Sequence, residues 1–312
     1  MTPLVATLPG AELKAVAILT ALLAVSSAMW AGICLRRRRG QPIIPLARRR
    51  PVPWQAQDLL MIFVIGIFLV ITASRVVHAW VAPEAGAQAD DGKSELAHPA
   101  EQMLRSGDLA AVAVAAVAAV VVAPLVEEFL FRVLLQGWLE AIWSRARRKH
   151  AELRAAPASW IPVALPAALF ALVHVRSSQP PHAPQYLLGL QIGQMIAELA
   201  ALGLAILFLR FGARATAADL GWKPAKLGAD AKLGVLALLA VIGPILTFQA
   251  ALMFLVKSTG IDYAPDPVPL FFLALVFGLL YRRTHRIAPS LVLHMAFNAT
   301  AVVLMFAGGA GQ

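Results

Sequence analysis

The chain has 312 residues, 60% of them hydrophobic and 14% charged, with a mean hydropathy of +0.74; it carries separate apolar runs of about twenty residues that a soluble domain does not need. A net charge of +10 would raise nucleic-acid binding in a soluble protein, but here the basic residues cluster between apolar runs, the pattern of the positive-inside rule, and no nucleic-acid partner is implied. The single cysteine, Cys34, rules out an internal disulfide and a cysteine-rich metal site.

Apolar runs lie near 12–35, 57–82, 108–143, 159–175, 186–210, 233–256, 268–282 and 287–307. The expected fold is therefore an all-α, polytopic transmembrane helix bundle of about eight spans. In the first run the charges Arg36 to Arg39 follow the apolar segment, which at 13–35 is also too long for a signal core, so it reads as a retained span.

Twenty of the 27 Lys and Arg residues fall after spans one, three, five and seven, among them Arg48 to Arg50, Arg154 and Arg282. All these loops share one side if every run crosses, and that side is expected to be cytoplasmic, in a bacterial cytoplasmic membrane. The opposite loops carry Glu84, Asp90, Asp91, Glu95, Glu101, Asp262 and Asp266. A single membrane domain is expected, with N-terminal spans and an extracytoplasmic loop over 1–107 and a core over 108–312.

The third run holds the polar residues that need an account. Glu127, Glu128 and Arg132 stand in an otherwise apolar stretch, where such groups are costly unless paired or lining a cavity. As continuous helix, 109–143 would measure roughly 52 Å at about 1.5 Å per residue, against a core of about 30 Å. It must tilt, kink or project. Pro124 is the expected kink, freeing the carbonyl of Val120. Glu128 and Arg132 share a helix face and form a neutral pair, while Glu127 points about 100° away with no intrahelical partner. These three residues alone support structural glue as well as a general base or metal ligand.

Later spans add to the set. His174 ends the fourth run, and His294 and Asn298 stand four apart on one face of the last. A base, two imidazoles and an amide donor are what water attack on a peptide carbonyl requires. His98, His150, His182 and His285 fall in predicted loops and His78 near an interface, where surface roles are the default. Glu198, mid-run in the fifth span, has no assigned role. Trp30, Trp54, Trp80, Trp138, Trp143 and Trp160 lie near span ends, as interfacial aromatics do.

Glu127-Glu128-x-x-x-Arg132, Phe170-x-x-x-His174 and His294-x-x-x-Asn298, in this order on separate spans, resemble the motifs of the CPBP intramembrane proteases, a group that includes CAAX prenyl endopeptidases and bacteriocin-processing or immunity proteins. The resemblance covers about 108–306. It implies an all-helical membrane endopeptidase in which Glu127, with His174 beside it, activates water, and His294 and Asn298 stabilise the oxyanion. Glu128 with Arg132 would hold the catalytic helix. The implied partners are a peptide or protein substrate at the membrane and the lipid bilayer itself.

The group is often labelled metalloprotease, yet no His-Glu-x-x-His is present, so zinc does not follow from the sequence, although Glu127, His174 and His294 with water would make up a ligand set. The chain departs from the pattern by placing 120 positions, with two spans and the loop segment Ala218 to Trp222, between His174 and His294. In many relatives a similar loop precedes the glutamate motif, so a rearranged helix order is implied. A catalytically silent immunity or scaffold protein of the same fold is the second reading, and a transporter the third.

Overall fold

The computed structural model describes residues 10–47, 51–81, 99–150, 153, 159–175, 184–259 and 267–309. Glu84, Asp90, Asp91, Glu95, His98, Arg154, His182, Asp262, Asp266 and Arg48 to Arg50 lie outside them. The described elements are helices: α1 Gly10–Arg38, α2 Ala56–Val81, the short α3 Pro99–Arg105, α4 Leu109–Lys149, α5 Ile161–Val173, α6 Pro184–Phe211, α7 Leu227–Ser258, α8 Pro267–Thr284 and α9 Ala288–Gly309. Seven of them are long and apolar enough to cross a membrane, and the thirteen-residue α5 is a shorter apolar helix. The protein is an integral membrane protein with an all-α fold.

Sequence neighbours are not always packing neighbours. α1 lies against α7 and α2 against α6, so both N-terminal helices dock on later spans, while α8 packs on α5 and α9 on α7. The α1–α7 approach is close because Gly243 has no side chain: a Cβ there would come within 2.6 Å of the Leu22 carbonyl oxygen. Ser26 stitches the crossing, its Oγ donating to the Leu239 carbonyl (2.8 Å) and accepting from the Gly243 N–H (3.1 Å). Pro244, inside α7, has no N–H to offer the carbonyl of Ala240 one turn back. Trp30 on α1 supplies the missing donor, its Nε1 standing 3.0 Å from that oxygen.

The helix that carries the glutamates is the least regular. Asp108 caps its start, accepting from the Ala110 N–H (2.8 Å). The helix then runs for 41 residues with π-helical turns at Ala118–Val122 and Phe129–Gln136, on either side of the short α-helical segment Ala123–Glu128. Isolated π turns inside α-helices occur often at functional sites. In the first of these turns the Ala123 N–H reaches back five residues to the Ala118 oxygen. The carbonyl deprived by Pro124 is therefore that of Ala119, not Val120 as α-helical counting suggests.

Two side chains expected at the surface are not there. Trp54 is fully buried, and its Nε1 donates to the Leu134 carbonyl (3.2 Å), fastening the segment before α2 to α4. His285 follows α8 with a left-handed φ of 48° and lies 3.6 Å from Glu140. On this basic side the loop after α6 is tied down as well. Gly221 takes a φ of +75° and its carbonyl accepts from the Ile287 N–H (3.2 Å), while Asp230 at the start of α7 accepts both carboxylate bonds from Arg286 Nε (2.7 and 2.8 Å).

Candidate active site

The site forms where α4, α5 and α9 meet. On α4 the two neighbouring glutamates part company, as the 100° helix step requires. Glu128 and Arg132 are completely buried, with Oε2 and Nε 3.6 Å apart. The guanidinium lies between two aromatic rings, 5.8 Å from the centre of Phe170 and 5.7 Å from that of Phe277, an arrangement that holds a cation against apolar surface. Glu127 turns the other way, and its side chain keeps 24% of its exposure.

Each histidine faces Glu127 with one nitrogen and is anchored by the other. His174 caps the end of α5, and its Nδ1 sits 2.6 Å from the carbonyl of Phe170, one of the unpaired acceptors of a helix C-terminus. A carbonyl only accepts, so Nδ1 carries the hydrogen and Nε2 presents its lone pair. That Nε2 is 3.8 Å from Glu127 Oε1. His294 on α9 stacks on Phe277 with ring centres 4.7 Å apart. Its Nε2 is 3.6 Å from Glu127 Oε2 and its Nδ1 3.3 Å from Glu128 Oε1. One imidazole thus joins both carboxylates, a link that spacing along the chain does not reveal.

Asn298, one turn further along α9, uses its Nδ2 to donate to the Ala119 carbonyl (2.7 Å), the oxygen that Pro124 leaves without a partner. The amide nitrogen has a second hydrogen for other use. Glu198 does not join this convergence: on α6 its Oε1 accepts from Gln194 Nε2 (2.8 Å). His150 lies exposed just past the end of α4.

Glu127 Oε1 and His174 Nε2 are both acceptors in this arrangement, set too far apart for a direct bond and suited to a water molecule that donates to both. Anchored imidazoles of this kind also serve metal sites. Yet among the described residues no three His, Cys, Asp or Glu side chains are placed to hold a metal ion, and the two Nε2 atoms address different oxygens of Glu127. The residues as arranged do not fit a three-ligand zinc site, and no step below passes through one.

Fold and site together define a polytopic intramembrane protein whose polar groups converge on one carboxylate at a helix break. A family described as type II CAAX prenyl endopeptidase, Rce1-like, matches residues 109–218 and 221–300. The chain belongs to that family, a family of CAAX-type intramembrane proteases. No curated protein and no solved structure matches it.

Proposed function

We propose that the protein is a membrane-embedded endopeptidase that hydrolyses a peptide bond of a membrane-associated substrate, CAAX-like or leader-type, with water activated by Glu127 and His174. The observation that carries the reading is the bracketing of Glu127 by His174 Nε2 at 3.8 Å and His294 Nε2 at 3.6 Å, at a partly open position between apolar helices. A water donating to Glu127 and His174 is oriented and made nucleophilic as its proton passes to the carboxylate. Attack on the scissile carbonyl builds negative charge on oxygen. The second Asn298 N–H is a donor for it, and His294 is the other when both of its ring nitrogens carry hydrogen, Nδ1–H held by Glu128 and Nε2–H turned to the oxyanion. The proton held by Glu127 then goes to the leaving amine. Glu128 and Arg132, touching neither water nor substrate, fix the helix and steady His294 from behind.

The test is cleavage of a prenylated CAAX peptide and of a leader-type peptide by purified protein in liposomes. Glu127→Ala, His174→Ala and His294→Ala are each expected to abolish turnover while the protein stays folded. Full activity in all three variants would overturn the site. A wild type inactive on every peptide would favour the silent immunity or scaffold reading. Metal content measured before and after chelation decides separately whether an ion takes part. We further place the protein in a bacterial cytoplasmic membrane with the basic loops in the cytoplasm, and treat 108–312 as the protease core on which spans one and two are mounted. Labelling of single cysteines introduced at 38 and 149 from the cytoplasmic side checks that orientation.

A further inference from the structure

At the basic end of the bundle, three helices end or begin around one cavity of about 500 Å³. It is lined by Glu140, Trp143 and Arg147 from the end of α4, by Trp160 at the start of α5, and by Arg282 and Arg283 from the end of α8. The cavity lies apart from the candidate active site. Glu140 comes thirteen residues after Glu127 on α4, roughly 15–20 Å along the helix axis at up to about 1.5 Å per residue. The three residues beyond the cut in a CAAX-like peptide span at most about 11 Å. A substrate held at Glu127 therefore does not bring its C-terminal carboxylate here.

Among the described lining residues, three arginines stand against one carboxylate, and that carboxylate is already engaged: Glu140 accepts from Gln136 Nε2 (3.0 Å) and meets His285 Nδ1 (3.6 Å). Arg282 is braced in place. Its Nη1 donates to the Ser159 carbonyl (2.8 Å), and its guanidinium lies 5.4 Å from the centre of the Trp160 ring. The rest of its fork of N–H groups remains for a ligand. Arg283 is exposed, and among the described residues its side chain makes no hydrogen bond or ion pair. Much of the remaining wall is apolar, from Trp143, Trp160 and the 72%-exposed Leu46. The positive-inside rule accounts for basic residues at this end, but not for arginines of two helices meeting on one cavity beside two indoles.

We propose that this cavity binds the headgroup of an anionic phospholipid, with the phosphate on Arg282 and Arg283 and the glycerol and upper acyl carbons against Trp143, Trp160 and Leu46. The guanidinium fork matches phosphate oxygens in geometry as well as in charge. Indoles favour the level of lipid headgroups, and basic pockets between spanning helices suit anionic ones. A free phosphate ion would satisfy the arginines yet leave the apolar wall unused, in a cavity within the size range of small-molecule sites, about 300–1,000 Å³. A zwitterionic lipid would bring its own cation towards the arginines. The bound headgroup straps the end of α8 to α4 and α5, and the assignment stands whether or not the protein is a hydrolase.

Native mass spectrometry of the full chain released from detergent, titrated with dioleoylphosphatidylglycerol, reads the bound lipid without any need for activity. Dioleoylphosphatidylcholine is expected to bind about tenfold more weakly. Arg282→Gln and Arg283→Gln should each weaken phosphatidylglycerol binding about fivefold, and the two together about twenty-fivefold, the worth of one and two basic residues against an anionic lipid. Arg37→Gln, in the exposed basic end of α1, should leave it unchanged. Arg283 is exposed, so its variant serves if Arg282→Gln, which loses the Ser159 bond, fails to fold. Equal binding of the two lipids, unchanged binding in folded Arg283→Gln, or an equal loss in Arg37→Gln overturns the site. Excess sodium phosphate should displace the lipid no better than sodium chloride of the same ionic strength. Displacement by phosphate alone overturns the lipid and assigns the cavity to the free ion.

Discussion

Among the described residues, Pro124 and Pro244 each interrupt one of the seven long apolar helices, and each leaves a carbonyl that another helix must satisfy. At Pro244 the oxygen of Ala240 takes the indole N–H of Trp30 (3.0 Å), in a tight α1–α7 crossing built on Gly243 and Ser26. At Pro124 the oxygen of Ala119 takes the amide of Asn298 (2.7 Å). Both arrangements meet the demand that backbone groups at membrane depth find partners inside the protein. They differ in what the donor does besides. The indole N–H of Trp30 has one hydrogen and is fully used, so the crossing at α7 is a closed structural joint. Asn298 retains a second hydrogen, and its partner helix continues within one turn to Glu127, so the same repair doubles as a fixed point for chemistry.

The strongest test of the contrast is Asn298→Ala, expected to lower kcat by about two to three orders of magnitude, the usual cost of an oxyanion donor; a kcat within threefold of wild type in the liposome peptide assay would erase the distinction between the two breaks. At the other break, Gly243→Ala drives a methyl against the Leu22 carbonyl and should destabilise the fold by about 1–3 kcal/mol, seen as a lower unfolding midpoint with turnover per folded molecule unchanged. A double-mutant cycle sharpens the comparison further. Pro124→Ala restores a backbone N–H that can serve the Ala119 oxygen, so Asn298→Ala should cost about 1 kcal/mol less stability in that background than in the wild type; additive unfolding free energies would show that the carbonyl is not what Asn298 stabilises. The smallest effect belongs to Trp30→Phe, a loss of about 1 kcal/mol in chemical denaturation with cleavage rates untouched.

Much of this arrangement can be read from the residues. Apolar runs mark the spans, because lipid imposes length and composition together, and the 100° step between Glu127 and Glu128 separates a buried, paired carboxylate from an available one. The α-helical count fails at Pro124 because the preceding turn is π-helical, which moves the freed carbonyl by one residue to Ala119. A π turn leaves no mark in hydrophobic pattern when every neighbour is Ala or Val. The double attachment of His294 to Glu127 and Glu128 depends on how α9 rotates against α4, which is a matter of packing and not of spacing. Trp54 misleads for a related reason: position near a span end suggests the membrane interface, yet a groove beside Leu134 gives the ring full burial and its N–H an acceptor. The convergence of His174 with Glu127 across separate helices is the part of the site where the residue pattern and the geometry agree most closely.

The clamp on the basic side governs more than the loop it fastens. Arg286, gripped by Asp230 through contacts of 2.6 to 2.8 Å, lies eight residues before His294 on the chain that becomes α9, roughly 12 Å away at about 1.5 Å per residue. A helix is stiff in torsion over two turns, so the anchored end acts as the zero mark of a dial. Slipping α9 by a single residue at that end would swing His294 by about 100° and carry it off both glutamates at once, which makes a buried carboxylate at the start of α7 the element that sets the angle of the imidazole at membrane depth.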